Sequence, residues 1–424
     1  MAEPVNTPMN TAPPTRSTSP VPPLPTTSTP QSLASSPTST RTTPSHQWPG
    51  AGATHSRGTS LTVPIYAGAS SSKPVVLHIG DAVKYNPETY AEFAAQFEII
   101  RPSAAERARP EFIAALRERR WGDFAAIFRP FWSTGGEMGH WDAELIDLLP
   151  ETVRVFACAG AGYDWADVEL LGKKGIIYCN AGLASAEAVA DFAVALIIST
   201  FRALPYCISS ATATTTSPPS PSPSAAFQTA HERATHLSHN LRGHVLGLVG
   251  FGNIGQQIAH RCHAAFGMDI AYYDIERKSG AVEAGLHAQY CMTIESLVRG
   301  ADCVVLCIPG DAGQIINRES LGWFKPGGRL VNVARGKLID EEALADALEE
   351  DGRLSGVALD VHANEPKVSE RLARFAGTKA LLTCHNAGGT VETHVGFEEL
   401  CMRNVMAVLS GREAVTPVNM EWLR

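Results

Sequence analysis

The sequence predicts an α/β fold in which parallel strands alternate with helices in two domains. Short apolar segments such as Pro74–Ile79 and Cys303–Ile308 have the pattern of strands that are buried on both faces. Segments with helical spacing of apolar residues lie between such strands, as in doubly wound sheets. The chain has 424 residues, 44% of them hydrophobic, which is enough for two domains that each have a core.

Repeated βα units are predicted for the first half of the chain. Helical spacing covers Glu88–Phe97, and another helix is expected around Ala143–Leu149. The strands expected after Pro74–Ile79 are Phe124–Phe128, Val153–Cys158 and Ile176–Cys179. A long helix, Ala184–Leu204, is apolar on almost every side, so we expect it to be buried between the domains.

Two segments lack the composition of a core. Residues 1–72 are rich in Pro, Ser and Thr and have few large apolar side chains, which predicts a disordered tail. Ser209–Ala226 has a similar composition and is predicted to be a surface insertion.

Charge and cysteine spacing exclude several classes of partner. The net charge is −8 and no basic run is present, so neither nucleic acid nor an anionic membrane is expected to bind. The longest uninterrupted apolar stretch, Phe192–Ile198, is too short for a membrane span. The Cys and His residues show no metal-ligand spacing, so no metal is expected.

The sequence favours a reduced intracellular compartment, since the nine cysteines form no CxxC pair and no secretory signal precedes them. We expect a cytoplasmic protein. A mitochondrial address is the alternative, because the tail has few acidic residues and contains scattered arginines, although its prolines would break a transit-peptide helix.

A dinucleotide-binding loop is predicted between a strand and a helix. The apolar segment that ends at Val249 runs into a G-x-G-x-x-G pattern formed by Gly250, Gly252 and Gly255. Gly250 permits the tight turn, Gly252 allows the backbone to approach the pyrophosphate, and Gly255 allows close packing of helix and strand.

Asp274 favours NAD as the cofactor. It follows the strand Ile270–Tyr273, about twenty residues after the glycines, where a carboxylate accepts hydrogen bonds from ribose hydroxyls. The same carboxylate would repel a 2′-phosphate, although the nearby Arg277 and Lys278 leave NADP as a less favoured alternative.

Three polar residues follow later strands and suggest hydride-transfer chemistry. Arg335, Glu365 and His385 each come after a strand that should end at the same sheet edge as Gly252. An arginine at this edge can bind a carboxylate and the adjacent carbonyl. The histidine can give its proton to the carbonyl oxygen while hydride reaches the carbon, and Glu365 would fix its tautomer and raise its pKa.

The segments around these residues resemble the D-isomer-specific 2-hydroxyacid dehydrogenases. The resemblance runs from about Pro74 to the C-terminus, apart from the insertion. Its signature stretches are Val331–Asp340, Leu359–Pro366 and Cys384–Gly389. The segments Phe128–Trp132, His239–His244 and His385–Thr390 are most similar to the fungal branch of D-mandelate dehydrogenase-like members.

The resemblance implies two Rossmann-like domains, with the NAD-binding domain inserted into a flavodoxin-like substrate domain. The expected boundaries are 73–205 for the first part of the substrate domain, 206–240 for the insertion and linker, 241–385 for the NAD-binding domain and 386–424 for the return. It also implies a homodimer that acts on a small 2-keto or 2-hydroxy acid.

The resemblance likewise implies the site residues. The catalytic set is Arg335, Glu365 and His385. The substrate carboxylate is expected at the backbone N–H groups of Ala161 and Gly162, in a glycine-rich turn that can form an anion nest, and at Arg335. The expected cofactor-binding residues are Gly250, Gly252, Asn253, Ile254, Gly255, Asp274, Pro309, Ala334 and Asp360.

Departures from the family pattern affect the pocket wall rather than the catalytic groups. Cys384 stands where many members have Pro, and Asn386 stands where many have Ile. The insertion lies where the chain crosses into the cofactor domain, so it could disturb domain closure.

Phe131 and Trp132 follow an N-domain strand and could line an apolar pocket, although domain packing is the commoner role of such side chains. The leading prediction is therefore NAD(H)-dependent reduction of an aromatic or branched 2-keto acid, such as benzoylformate, to the D-2-hydroxy acid. A glyoxylate/hydroxypyruvate reductase is one alternative. A protein that senses NADH without turnover is another, and the complete Arg–Glu–His set argues against it.

Overall fold

Two parallel sheets form the framework of the protein in a computed structural model, which describes residues 73–131, 134–216 and 223–423. The predicted tail, residues 1–72, lies outside the described residues. The strands are β1 Val75–His78, β2 Glu98–Ile100, β3 Ala126–Arg129, β4 Val155–Cys158, β5 Ile177–Cys179, β6 Val245–Val249, β7 Asp269–Tyr273, β8 Ala288–Tyr290, β9 Cys303–Leu306, β10 Gly328–Asn332, β11 Leu354–Leu359 and β12 Ala380–Leu382.

Helices cover both faces of each sheet. The α-helices of the described residues, including two that lie outside these layers, are α1 Pro87–Gln96, α2 Arg109–Arg117, α3 Ala143–Ile146, α4 Val168–Lys173, α5 Gly182–Phe201, α6 Leu204–Thr216, α7 Pro223–Leu237, α8 Asn253–Phe266, α9 Gly280–Leu286, α10 Ile294–Gly300, α11 Arg318–Leu321, α12 Glu341–Glu349, α13 Glu370–Ala373 and α14 Val391–Leu409.

The small sheet has five strands in the order β2-β1-β3-β4-β5, all parallel. This is the flavodoxin-like order, so this part of the prediction is confirmed. Apolar side chains fill both faces of the sheet, as the apolar runs of β3 and β4 predict.

The large sheet has seven parallel strands in the order β12-β11-β10-β9-β6-β7-β8. Counted from β6, this is the doubly wound order with one added strand, and it confirms a Rossmann-like fold. The order reverses at β6, whose last residue, Val249, lies between Leu306 and Tyr273. Ligands of such sheets bind at this switch point, outside the carboxyl ends of the strands.

Helices α5 and α14 connect the two sheets. α5 packs against α8 and against β10, β11 and β12 of the large sheet, and it also contacts α14. α14 follows β12 and packs on β3 and β4, so the chain returns to the small sheet after completing the large one. The expected long, buried helix is therefore present, and the large-sheet unit is inserted into the small-sheet unit.

By length and composition α5 could cross a membrane, and among the described residues it is the one helix with this property. Its Val189, Ala193, Leu196 and Phe201 are buried in the core beneath the large sheet. These contacts account for its apolar composition.

The Ser/Pro-rich insertion contains more regular structure than its composition predicts. α6 and α7 extend into it from either side and pack against each other, with residues 217–222 between them outside the described residues. Most of their described side chains are exposed, which agrees with a surface position. The prolines cluster at 218–223, and Pro223 begins α7, where proline is tolerated.

Candidate active site

Loops from both sheets meet where their parallel strands end. The loop after β4 contacts the loop after β10 through an ion pair between Asp164 and Arg335, whose Oδ1 and Nε atoms lie 3.1 Å apart. We call this region the junction. Because strands of one parallel sheet end at the same edge, it is bordered by the loops after β6, β9, β11 and β12 as well.

The glycine loop after β6 has the shape that a dinucleotide requires. Gly250 has a φ of 98°, and a Cβ there would lie 2.6 Å from the carbonyl oxygen of Cys307. A Cβ at Gly255 would lie 2.5 Å from the carbonyl oxygen of Gly250. At Gly252, by contrast, no described atom lies within 4 Å of the Cβ position. The loop is therefore closely packed at Gly250 and Gly255 and open at Gly252, the residue that a pyrophosphate would approach.

Helix α8 begins directly after this opening. Asn253 and Ile254 form its first turn, where backbone N–H groups lack intrahelical acceptors and attract negative charge. The helix ends at Gly267, which has a left-handed φ of 63°. An open loop in front of a 14-residue helix fits the diphosphate of a nicotinamide dinucleotide.

Asp274 lies at the end of β7, next to the glycine loop. Its Oδ2 accepts a hydrogen bond from the Phe251 amide at 2.8 Å, and its Oδ1 accepts one from the Glu276 amide at 3.2 Å. The Lys278 ammonium lies 3.3 Å from Oδ2. The carboxylate thus lies where the sequence spacing predicts, with backbone contacts that fix its orientation.

The Arg277 side chain contacts an acidic and an aromatic side chain of the protein. Its guanidinium makes two hydrogen bonds of 2.9 Å to Glu283 and lies over the Tyr290 ring, 5.4 Å from the centroid. Arg277 and Lys278, the two cations that kept NADP as an alternative cofactor in the sequence, therefore both have carboxylate partners.

Arg335, Glu365 and His385 follow three neighbouring strands, β10, β11 and β12. The turns that carry them are in direct contact, since a Cβ at Gly336 would lie 1.9 Å from the carbonyl carbon of His362. The His362 amide in turn donates to Glu365 Oε1 at 3.0 Å. The structure thus brings the three predicted turns together at one sheet edge.

Glu365 and His385 form a hydrogen-bonded pair. Glu365 Oε2 lies 2.9 Å from His385 Nδ1, and both side chains are about one-third exposed. Burial raises the pKa of the Glu365 carboxyl, but the hydrogen bonds from His385 and the His362 amide outweigh it, so the pKa lies below its usual value. The carboxylate therefore stays ionised beside the imidazole. Nδ1 is the ring nitrogen paired with Glu365, and Nε2 is the second nitrogen of the ring.

Asp360 organises the turn that contains His385. It is buried, and its carboxylate accepts hydrogen bonds from the Asn386 amide at 2.9 Å, the Ala387 amide at 2.8 Å and the Thr383 hydroxyl at 2.7 Å. The family resemblance implies a cofactor-binding role for Asp360, which stays a prediction, and the structure shows this organising role, which the sequence does not reveal.

The glycine-rich turn after β4 lies against Arg335. Gly160 has a φ of 93°, and the amides of Ala161 and Gly162 donate no hydrogen bond to any described residue. A Cβ at Gly162 would lie 1.5 Å from Nη2 of Arg335, so the guanidinium lies directly over this backbone. The turn and the arginine therefore form one polar surface.

Two further predicted positions border the same surface. Ala334 is buried, and its carbonyl oxygen accepts a hydrogen bond from Arg335 at 2.7 Å. Pro309 is exposed and precedes Gly310, where a Cβ would lie 2.8 Å from Cγ of Arg335.

Aromatic side chains lie at the rim of the small sheet. The His394 ring of α14 stacks on Phe131, with centroids 4.5 Å apart, and on Tyr85, with centroids 6.2 Å apart. We call these three residues the aromatic stack. Burial lowers the pKa of His394, which favours its neutral form. Trp132 lies outside the described residues.

Asp164 and Lys337 are two site residues that the sequence does not predict. Asp164 bridges Arg335 and Lys337, whose Nζ lies 3.0 Å from Asp164 Oδ2. Asp164 lies two positions after Gly162, and Lys337 lies two positions after Arg335 within the signature stretch Val331–Asp340. Their charges are the one signal in the sequence that marks them as candidate functional residues.

The folds and the junction define a class of protein, the oxidoreductases that bind a nicotinamide dinucleotide at a Rossmann-like sheet and a substrate between two α/β units. Comparison with known proteins identifies the family. Residues 219–387 match the model of the NAD-binding domain of D-isomer-specific 2-hydroxyacid dehydrogenases.

Relatives and solved structures agree with this match. A glyoxylate reductase of Thermococcus kodakarensis is 37% identical over 282 residues, 66% of this chain and 80% of the relative. A 4-methyl-2-oxopentanoate reductase A of Aspergillus oryzae is 32% identical over 312 residues, 73% and 88% of the two chains. The apo crystal structure of Rhodotorula graminis D-mandelate dehydrogenase superimposes with a TM-score of 0.75 at 37% identity, covering 82% of this chain and 98% of that one.

The chain therefore belongs to the D-isomer-specific 2-hydroxyacid dehydrogenase family. It is an oxidoreductase that uses a nicotinamide cofactor and acts between 2-keto and D-2-hydroxy acids, as the sequence predicts.

Proposed function

We propose that this enzyme reduces an aromatic or branched 2-keto acid to the D-2-hydroxy acid, with the proton supplied by His385. The observation that carries the catalytic assignment is the 2.9 Å bond between His385 and Glu365, on a turn adjoining that of Arg335 at the carboxyl edge of the large sheet. The cofactor, when bound, supplies the hydride that reduces the carbonyl carbon.

His385 acts as the general acid. The Glu365 carboxylate holds Nδ1–H and stabilises the imidazolium, so that the proton leaves from Nε2 toward the carbonyl oxygen. In the reverse direction the neutral imidazole takes the hydroxyl proton at the same nitrogen. Glu365 thus positions the ring, while His385 contacts the reacting atom.

Arg335 and the Ala161–Gly162 amides bind the substrate carboxylate. Backbone N–H groups in a turn with alternating φ signs form an anion nest, and the guanidinium lies directly over it. Binding at these donors would fix C2 of the substrate relative to His385.

The aromatic stack favours a substrate with a large apolar side chain. Phe131 and Tyr85 follow β3 and β1, at the same edge of the small sheet as the Ala161–Gly162 turn after β4. An aryl or branched group attached to C2 of the keto acid gains apolar contact there. Similarity to a D-mandelate dehydrogenase and a 4-methyl-2-oxopentanoate reductase supports the same choice.

NAD is the proposed cofactor rather than NADP. A 2′-phosphate beside Asp274 would be repelled by its carboxylate. Arg277 and Lys278 each already pair with an acidic side chain. We expect kcat/KM to be at least roughly tenfold higher with NADH than with NADPH. Preference for NADPH in initial rates would contradict the role of Asp274.

Glyoxylate/hydroxypyruvate reduction is the second candidate, which the similarity to a glyoxylate reductase favours. Initial rates of NADH oxidation with benzoylformate, 4-methyl-2-oxopentanoate, glyoxylate and hydroxypyruvate distinguish the two. We expect benzoylformate and 4-methyl-2-oxopentanoate to have the higher kcat/KM, and Phe131→Ala to lower this preference about tenfold. Higher kcat/KM for glyoxylate in the wild type would favour the second candidate.

The catalytic assignment is tested at His385. His385→Ala should lose roughly 100-fold or more in kcat, because general acid catalysis contributes that much, while NADH still binds. His140→Ala, at an exposed histidine of the small-sheet unit, is the matched control and should keep wild-type kcat. Wild-type turnover by His385→Ala would refute the assignment.

A further inference from the structure

Asp164 connects the two sheets at the junction. It follows the Ala161–Gly162 turn of the small sheet, and its carboxylate oxygens contact two cations that follow β10 of the large sheet. Oδ1 lies 3.1 Å from Nε of Arg335, and Oδ2 lies 3.0 Å from Nζ of Lys337. We call these three residues the Asp164 bridge.

Two hydrogen bonds, one of them from the bridge, fix the guanidinium of Arg335. Nε donates to Asp164, and Nη1 donates to the Ala334 carbonyl oxygen at 2.7 Å. The remaining nitrogen, Nη2, lies over the backbone of Gly162. One end of the planar group is therefore held by the protein, and the other end faces the Ala161–Gly162 amides.

Close packing limits other orientations of these side chains. A Cβ at Gly310 would lie 2.6 Å from Cε of Lys337, 2.8 Å from Cγ of Arg335 and 3.1 Å from Oδ2 of Asp164. The loop after β9 thus closes over the bridge and restricts its side chains.

The charge of the bridge also suits an incoming carboxylate. Burial raises the pKa of Asp164, but Arg335 and Lys337 lower it further, so the carboxyl stays ionised. Two cations and one anion leave one net positive charge. A substrate carboxylate at the Ala161–Gly162 amides would neutralise it.

We propose that Asp164 is a positioning residue for the reaction: by accepting the hydrogen bond from Nε it orients Arg335 so that Nη2 meets the substrate carboxylate at the Ala161–Gly162 amides. Lys337 holds the second oxygen of Asp164 and so keeps the two loops together. This inference rests on the proposed role of Arg335. It assigns Asp164 no contact with the reacting atoms.

The test compares Asp164→Ala with Asp164→Asn, which keeps an oxygen acceptor for Nε but removes the charge. Asp164→Ala should lower kcat/KM for the best keto acid by about tenfold to 100-fold, since misplaced substrate groups cost this much. Asp164→Asn should recover most of the loss. NADH binding, measured by fluorescence titration, should be unchanged in both variants.

Lys337→Met is the matched control, because it removes a contact of the same carboxylate without touching Arg335. Its loss of kcat/KM should be smaller than that of Asp164→Ala. If Asp164→Ala does not fold, Asp164→Glu replaces it, because the longer side chain keeps the charge but displaces the guanidinium. Asp164→Glu should then lose about tenfold in kcat/KM.

Unchanged or increased kcat/KM in Asp164→Ala or Asp164→Glu would overturn the inference, and an increase would indicate that Asp164 competes with substrate for Arg335. A loss in Asp164→Asn equal to that in Asp164→Ala would overturn it too, since charge rather than orientation would then decide. Arg335→Ala is assayed in parallel. Full activity of Arg335→Ala would refute the proposed function itself, whereas its inactivity beside a fully active Asp164→Ala would refute this inference alone.

Discussion

At the scale of single residues, His385 combines an unusual backbone with a fixed side chain. Its φ of 56° lies in the left-handed region, which costs a non-glycine residue free energy. The His385 amide donates to the Asp360 carbonyl oxygen at 2.8 Å, and the Asp360 carboxylate accepts the next two amides. These bonds hold the backbone, and Glu365 holds the ring.

The Glu365 carboxylate is expected to matter through its charge. Glu365→Gln keeps the size of the side chain but cannot stabilise an imidazolium, so kcat for oxidation of the D-2-hydroxy acid should fall by about tenfold or more. Stopped-flow or steady-state NAD reduction measures it. Glu341→Gln is the control, because Glu341 accepts the Ala363 amide at 2.9 Å in the same turn. Equal kcat in Glu365→Gln and wild type would contradict the prediction.

At the scale of elements, the sequence predicts buried strands better than edge strands. β3, β4 and β9 are fully buried and appear as apolar runs, whereas β2 and β8, two of the four edge strands, are partly exposed and escape prediction. α6 and α7 escape it as well, since Ser and Thr dominate the insertion. Composition predicts how little of such a segment is buried, but not whether it is helical.

The site shows the same limit. Arg335, Glu365 and His385 follow apolar strands, so the rule for parallel sheets finds them from sequence. The contacts of Asp164 depend on how the two sheets pack against each other, which no local pattern encodes. Glu398 is a similar case, since it lies within the pattern of α14 and its partners are more than 300 positions away.

Glu398 attaches the loop after β1 to α14. It is 1% exposed, and its carboxylate accepts the amides of Lys84, Tyr85 and Asn86 at 2.7 to 3.0 Å. Glu398→Gln should destabilise the protein by about 1 to 3 kcal/mol, because an amide can accept fewer of these bonds. It should also raise KM for benzoylformate, since Tyr85 belongs to the aromatic stack.

Urea unfolding and steady-state kinetics measure the two effects. Glu399→Gln is the matched control at the next position, where the side chain pairs with Arg403 within the helix and should contribute only about 0.5 kcal/mol. A Glu398→Gln variant as stable as Glu399→Gln would show that the loop is not held in this way.

At the scale of the whole molecule, the homodimer and the cytoplasmic location stay predictions. Light scattering of the purified full chain tests the homodimer, for which twice the monomer mass of 45.3 kDa is expected. Microscopy of the full chain with a C-terminal fluorescent fusion tests the cytoplasmic address against the mitochondrial one.

The buried His78 couples the stability of the folded chain to pH. Its Nε2–H donates to the Asp81 carbonyl oxygen at 2.8 Å, and its ring packs edge-on against Phe128 with centroids 4.9 Å apart. Nδ1 is buried and has no hydrogen-bond partner among the described residues. Burial lowers the pKa of His78 from 6.5 to about 4, opposed by the Asp81 bond and assisted by Arg101 and Arg107.

The folded state therefore binds the proton of His78 more weakly than the unfolded state does. Stability from this residue is fully present above pH 6.5 and falls as the pH drops toward 4, by about 2 kcal/mol between pH 7.5 and pH 5. His78→Gln, whose amide can still donate to Asp81, should lose that much less unfolding free energy over the same interval. His140→Gln, at an exposed histidine of the same unit, should retain the wild-type pH dependence. If His78→Gln and wild type lose equal stability between the two pH values, acid sensitivity arises elsewhere in the protein.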